Sequence, residues 1–414
     1  MKFTISSDVL NAALRSGGVA ANTPDAQDAE VVRVVPTQRC VMLTANADGL
    51  TIESAVQRMS ARHQIDKNSV SVTAFGAVCI DKPSLEAKSA NLMTPHELTF
   101  DFAGDQEKEA GQADAILPVG KVKVSVVNAK KRKAFNWSFD AYSATDFPQI
   151  GYAAVVQPWG EFKTDTVYKA VDAVGFALAN KDHSDLFDNV AIMPKDKSAF
   201  VACTDNRHCA VCKMDQGGVL SLPASERLLV PFALFRLALD SVRDGLEDSI
   251  ALSIEEDNEH LVVAGVRTTV RMAMPASNTR SKFPDVMLVY GMKAVVKIEI
   301  PSKAEFTQAV TTIVKSKDAP EWSKYIVETG KDELKLAYFG DEVASVGCNP
   351  IAQGLAGEGI LLSNDFMLNV LKRLAGDIVL LSFTPDEKRA KIEDPSDPSL
   401  IYLMQRAADL AAGV

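Results

Sequence analysis

Short runs of alternating apolar and polar residues dominate the chain, and six stretches with helical spacing interrupt them. Alternation marks a strand buried on one face, and apolar residues three and four apart mark a helix with one buried face. The hairpin signal comes early, with strands over 41–43 and 50–54 around the turn Ala47-Asp48-Gly49. Further strands are expected over 69–73, 98–102, 121–127 and 135–139, then over 189–193, 199–202, 250–254, 261–266 and 269–274. The last part of the chain repeats the pattern over 295–300, 334–338, 343–346, 379–383 and 400–404. Helices are expected over 8–17, 84–93, 164–179, 232–242, 302–314 and 364–374. Ser6 or Ser7 suits the cap of the first, and Pro231 precedes the fourth as a good first-turn residue.

Two helices fall in each block of about 135 residues, and the blocks share punctuation. Asp146-Phe147-Pro148 closes the first and Phe283-Pro284-Asp285 closes the second, 136 residues apart. A fixed long period points to tandem copies of one unit. The expected fold is α+β: three copies over 1–155, 156–292 and 293–414, each with two helices packed on antiparallel sheets.

At this point the residues resemble a known family, the beta subunit of bacterial DNA polymerase III, a sliding clamp. Met1-Lys2-Phe3-Thr4-Ile5 is similar to its opening strand, and Phe147-Pro148 and Phe283-Pro284 to its domain-closing steps. Ala202-Cys203-Thr204-Asp205-Asn206-Arg207-His208-Cys209-Ala210 resembles its central "ATDGHRLA" segment. Gly347-Cys348-Asn349-Pro350 and Tyr402-Leu403-Met404 resemble the step before its last helix and its closing strand. Departures mark a divergent member. Asn206 stands for a glycine, Arg207-His208 inverts the usual order, and Gln405 replaces a proline. A polar insertion spans 104–115, and the tail 406–414 runs past the usual end.

The resemblance implies a ring with helices lining the hole, closed as a head-to-tail homodimer around duplex DNA. It implies a replicative polymerase as partner, an ATP-dependent clamp loader, no cofactor and no enzymatic activity. A hydrophobic cleft for a partner peptide carries over to Phe187, Thr204, Asn206, Arg207, His208, Cys209, Pro284, Leu288, Val289, Tyr402 and Met404. The subunit contact carries over to Trp137 and Phe139, facing Ile313 and Val314.

Composition and charge test that reading. The 414 residues are 47% apolar and 24% charged, ordinary for a globular protein. There is no apolar run long enough to span a membrane, and Met1–Ile5 lacks the apolar stretch of a secretory signal. Six scattered cysteines suit a reducing cytosol, and the resemblance implies association with the nucleoid. The net charge of −10 speaks against a nucleic-acid partner if the charge is spread evenly. It is not. The six helical segments with their flanks carry 0, +1, 0, +1, +2 and +1, leaving −15 for the rest. Candidate phosphate contacts on those helices are Arg15, Lys82, Lys88, Lys169, Lys181, Arg236, Arg243, Lys303, Lys315, Lys317, Lys372 and Arg373. Lysines that complement helix dipoles account for part of this excess.

Other chemistry is weak. Cys209 and Cys212 have knuckle spacing beside Cys203 and His208, but residues three apart on a strand point to opposite faces. Asp394 and Asp397, flanked by prolines, read as a solvated turn, and Lys130–Lys133 as a hairpin tip. No metal site and no nucleophile–base pair has motif support. The alternative to a clamp is a β-rich repeat scaffold for protein partners that does not encircle DNA.

Overall fold

The computed structural model describes residues 1–22, 36–92, 95–103, 118–128, 133–148, 157–178, 186–195, 198–214, 227–256, 259–291, 296–315, 322–327, 332–338, 341–352, 360–384 and 389–405. The first repeat runs β1 (Lys2–Ser6), α1 (Ser7–Gly17), β2 (Cys40–Asn46), β3 (Gly49–Val56), β4 (Met59–Asp66), β5 (Val70–Ala74) and β6 (Gly76–Asp81). It continues through α2 (Lys82–Ser89), β7 (Glu97–Asp101), β8 (Gly120–Val127) and β9 (Lys133–Ala141). The second runs β10 (Gln157–Lys163), α3 (Thr164–Val174), β11 (Asn189–Lys195), β12 (Ser198–Thr204), β13 (His208–Met214) and β14 (Leu228–Pro231). Then come α4 (Phe232–Asp244), β15 (Ser249–Ile254), β16 (His260–Ala264), β17 (Thr268–Ala273), and two short helices, α5 (Ser277–Lys282) and α6 (Val286–Tyr290). The third runs β18 (Val296–Ile300), α7 (Lys303–Val314), β19 (Trp322–Val327), β20 (Glu333–Tyr338), β21 (Asp341–Gly347) and β22 (Asn349–Ala352). It ends with β23 (Ile360–Ser363), α8 (Asn364–Leu371), β24 (Val379–Phe383), β25 (Arg389–Asp394) and β26 (Asp397–Gln405).

Local chemistry sets the helix ends. Asp81 caps α2 by accepting the Ser84 amide at 3.0 Å, so that helix starts at Lys82, two residues before the expected start. Ser302 accepts the Glu305 amide at 3.2 Å and Ser363 the Phe366 amide at 3.3 Å. Helix α3 stops at Val174 and tightens into a turn over Gly175–Ala177, short of the expected 179. Glycine at 175 leaves room for the Phe232 ring, which a Cβ there would approach to 2.5 Å and displace.

The α+β class expected from the sequence is the one observed, with antiparallel sheets throughout the described residues. Their strand orders are β5-β1-β7-β8-β9, β10-β15-β16-β17-β4-β3-β2-β6, β14-β11-β12-β13-β26-β25-β24-β18-β22 and β21-β20-β19-β23. Two of these sheets join successive repeats. Strand β4 of the first repeat pairs with β17 of the second, with His63 opposite Thr268 and Met59 opposite Met272. Strand β13 of the second pairs with β26 of the third, with His208 opposite Met404 and Ala210 opposite Tyr402.

That pairing governs packing. By internal packing the chain divides into two compact units. The first comprises Met1–Tyr168, Gly217–Leu222 and Ala233–Pro275, and the second Lys169–Gln216, Pro223–Phe232 and Ala276–Val414. The middle repeat is shared because β15–β17 belong to a sheet with β4, while β11–β14 belong to one with β26. In the first unit, Leu10, Ala13 and Leu14 of α1 bury against Phe3, Ile52, Phe100 and Val124, with Phe3 and Phe100 stacked at 4.7 Å. In the second, Phe306 and Ile313 of α7 are fully buried, as are Leu334 and Leu336 of β20.

Candidate nucleic-acid interface and partner pocket

The cationic helix residues are not equivalent. Lys82 is only 1% exposed: its ammonium donates to Asn22 Oδ1 at 2.6 Å and pairs with Glu86 at 2.8 Å. It therefore leaves the set of candidate phosphate contacts. The early start of α2 puts it on the inner face of the first turn, against Gly18. Lys303 is also committed, donating to the Leu374 carbonyl just past the end of α8 at 2.7 Å. Lys88 stands 4.5 Å above the Phe139 ring. Lys169, Lys315 and Lys372 are exposed. Lys181 and Lys317 lie outside the described residues, as does the hairpin tip 130–132.

A charged ladder runs along α1 and α4 in the first unit. Arg15 pairs with Asp244 at 3.6 Å, and Asp240 lies 3.9 Å from both Arg236 and Arg243. The ring of Tyr168, from α3, lies 4.0 Å from the Arg236 guanidinium and 3.9 Å from that of Arg243. Arg236 also donates to the Tyr168 hydroxyl. Arg373, in the second unit, stands 4.1 Å over Phe176 and donates to the Asn369 carbonyl at 3.0 Å.

The segment resembling a peptide cleft folds as a tight turn between β12 and β13. Thr204 Oγ1 donates to the His208 carbonyl at 2.7 Å and accepts the Asn206 amide at 3.0 Å. Asp205 Oδ1 accepts the Arg207 and His208 amides at 2.8 and 2.6 Å, and Oδ2 accepts from His208 Nδ1 at 2.7 Å. Burial works against the Asp205 charge, but the His208 and backbone hydrogen bonds outweigh it and hold the carboxyl below its usual range. Asn206 has φ 76°, the left-handed region, where asparagine is the usual substitute for glycine. That accounts for the exchange at this position.

The register places His208, Tyr402 and Met404 on one face of the sheet. There His208 stacks on Phe366 at 4.3 Å, Phe366 on Phe176 at 5.3 Å, and Phe176 lies 5.6 Å from Tyr402. Trp322 lies 5.9 Å from His208. Among the described residues, His208 Nε2 and the Tyr402 hydroxyl are buried without a hydrogen-bond partner. Cys209 turns to the opposite face, against Phe283, Val286 and Leu403, and Cys212 alternates away from it as expected for a strand. Pro284 and Phe187 are half-buried, Arg207 is exposed, and the side chains of Leu288 and Val289 are outside the described set. The cleft residues thus divide between two faces. Sequence reasoning misses Phe176, Trp322 and Phe366: Phe366 reads as part of a buried helix face, Phe176 falls in the last turn of an expected helix, and no strand is expected over Trp322.

Asp394 forms a turn. Its carboxylate accepts the Gly376 amide at 2.7 Å and the Ser396 amide at 2.8 Å. Burial opposes its charge, yet these bonds lower its pKa.

Two sheet edges complete the picture. Phe135, Trp137 and Phe139 form an aromatic row on the edge strand β9, with centroid spacings of 5.5 and 6.3 Å. Phe135 stays 43% exposed. Strand β21 is the other edge, in the four-stranded sheet. Near it, Ile313 is fully buried in its own unit and presents no surface to a partner, whereas Val314 is half-buried.

No family model matches the chain, and no curated protein does. Solved structures do match along its length. The DNA polymerase III subunit beta from Pseudomonas aeruginosa is 14% identical at a TM-score of 0.74, covering 98% of this chain and all of that one. The sliding clamp from Caulobacter crescentus is 14% identical at 0.73, over 99% of this chain and 100% of that one. The beta subunit from Thermotoga maritima is 13% identical at 0.75, over 98% and 99%. The chain shares the fold of these proteins.

Proposed function

We propose, from that shared fold, that the chain is a DNA sliding clamp, a replication processivity factor that encircles duplex DNA as a head-to-tail homodimer. The observation that carries this reading is the repeated strand pairing. Strands β4, β13 and β21 occupy one position in the three repeats, and β9, β17 and β26 another. The chain makes β4–β17 and β13–β26, and leaves β9 and β21 as edges. The pairing absent from one chain is β21 of one copy with β9 of another, a heterologous contact that closes into a ring. Phe135, 43% exposed at the end of the aromatic row, supplies apolar area for it, whereas Phe139, expected in this contact, is buried in the core of its own unit with Trp137 packed against it.

Helices packed 8–10 Å apart set the size of such a ring. Six would leave a hole about 18 Å across at the axes, too small for a duplex with side chains inside, and twelve give about 35 Å. Two chains supply the larger number. Lysine and arginine facing the hole would contact phosphates without reading sequence, which permits sliding. Retention is then topological, and no catalytic group is required. The acidic remainder of the chain would keep DNA off other surfaces. A replicative polymerase would dock at the aromatic cluster around His208, Phe366 and Tyr402 or beside it. An ATP-dependent loader would open the ring, in the cytoplasm at the nucleoid.

The decisive experiment is retention on DNA. Protein loaded on closed circular DNA should stay bound through a high-salt wash and leave when the circle is linearised; equal retention on both forms would defeat the encircling mechanism. A second expected result concerns the interface. Val314→Glu should convert the dimer to monomers in analytical ultracentrifugation without lowering the unfolding midpoint. A variant that still sediments as a dimer would sink the assignment of this edge. Ile313→Glu is the wrong probe, since it charges a core position.

A further inference from the structure

We propose that Tyr168 is a positioning residue for phosphate contact, holding Arg236 and Arg243 as a fixed pair of guanidinium forks. The inference rests on the DNA-encircling reading and adds a residue that neither charge nor periodicity singles out. Arg236 and Arg243 are seven residues apart, two turns along one face of α4. Both guanidiniums pack on the same ring, at 4.0 and 3.9 Å. Arginine stacked on an aromatic face keeps its planar N–H edge available for bidentate contact with phosphate. The Tyr168 hydroxyl accepts from Arg236, which fixes the rotation of that fork as well.

Asp240 sits one turn from each arginine and 3.9 Å from both. At that distance it spaces the pair without gripping either closely. The side chains of Arg236 and Arg243 retain 25% and 46% exposure, so both reach solvent. An unrestrained arginine loses side-chain freedom when it takes a phosphate; one already stacked has lost much of it beforehand. Lys88 on Phe139 and Arg373 on Phe176 repeat the cation-on-ring theme with one cation each, and Lys195 and Lys391 both stand farther off, 5.8 Å from the Tyr290 ring. Among the described residues, Tyr168 is the ring that holds two guanidiniums, at 4.0 and 3.9 Å.

The same contacts would also simply join α3 to α4, and the test separates the two roles. Full-length protein is titrated against a short fluorescein-labelled duplex by anisotropy across a range of salt. Tyr168→Leu should weaken binding about fivefold, and Tyr168→Phe about twofold or less, since it keeps the ring. Tyr168→Trp should restore most of the loss. Arg236→Ala with Arg243→Ala should lower the slope of log affinity against log salt by about two, and Tyr168→Leu should add nothing in that background. Asp240→Asn should bind more tightly. Unchanged binding by Tyr168→Leu, or an undiminished loss in the double-arginine background, overturns the positioning role. A double-arginine variant that binds like the wild type overturns it too, yet leaves the ring reading to the circular-DNA experiment. Should Tyr168→Leu fail to fold, the Phe and Trp variants still decide by their order.

Discussion

Glu247→Ala should lower stability by about 3 kcal/mol, read as a fall in the denaturant midpoint of the first unfolding transition. Glu247 follows the end of α4, where Glu247 N donates to the Val242 carbonyl and Leu246 N to that of Arg243. Its carboxylate, 7% exposed as a residue, reaches the turn between β16 and β17. There Oε2 accepts the Val266 amide at 2.8 Å, and Oε1 accepts those of Arg267 and Thr268 at 2.7 and 2.9 Å. Gly265 permits the approach, because a Cβ there would lie 2.5 Å from the carboxylate carbon. Charge-assisted bonds are worth about 1.5–3 kcal/mol each. Val266 is 89% exposed, so its amide can turn to water after truncation, whereas Thr268 is fully buried and its amide cannot. The expected loss is therefore nearer one to two such bonds than three. Glu247→Gln, which keeps an acceptor, should lose about half as much. A midpoint unchanged by the alanine would show that the turn holds itself.

The second large effect depends on pH. His63, on β4, meets Thr268 Oγ1 through Nδ1 at 2.9 Å, across 205 residues of sequence. Burial pushes its pKa down to about 4; Glu247 pulls it upward and Arg267 downward, both less strongly. In the unfolded chain the imidazole titrates near 6.5. The folded state thus resists the proton that the unfolded state accepts between those values. Stability from this group is complete above about pH 6.5 and falls with acidification, to a loss of about 3 kcal/mol by pH 4. His63→Gln, which keeps a polar partner for Thr268, should flatten that part of the stability–pH curve. A variant with the wild-type slope would assign the acid sensitivity to other groups. Glu247→Ala should steepen it, since the carboxylate is what raises the His63 pKa.

Both effects lie at a junction that the sequence pattern does not reveal. Alternation placed β3, β7, β8 and β24 close to where they are, because each buries one face against its own repeat. The helices were legible for the same reason, with ends displaced by two residues where Asp81 acts and by five where Gly175 acts. Pairing between β4 and β17, by contrast, is a choice of neighbour, and strand alternation is indifferent to which neighbour is taken. Lys82 shows the limit for charge. Its residue type points to solvent, and a helix start two residues earlier than expected buries it. The turn at 204–208 was visible as a motif, but the aromatic cluster beneath it comes from α8, β19 and the turn after α3, far apart in sequence.

Synthesis of the chain gives the cross-repeat pairing another meaning. Strand β4 leaves the ribosome about two hundred residues before β17, and β13 waits almost as long for β26. At 5–20 residues per second, each stands as an open edge for about 10–40 s. An unpaired edge is a template for the wrong strand, and charge on it is the usual protection. Strand β4 has Arg62, ion-paired to Glu53 of β3 at 3.4 Å and still 47% exposed, so it emerges guarded. Strand β13 reads His-Cys-Ala-Val-Cys-Lys-Met, with one lysine near its end. The nascent second repeat is thus the stretch most in need of a chaperone, and slower translation ahead of residue 397 would lengthen its exposure.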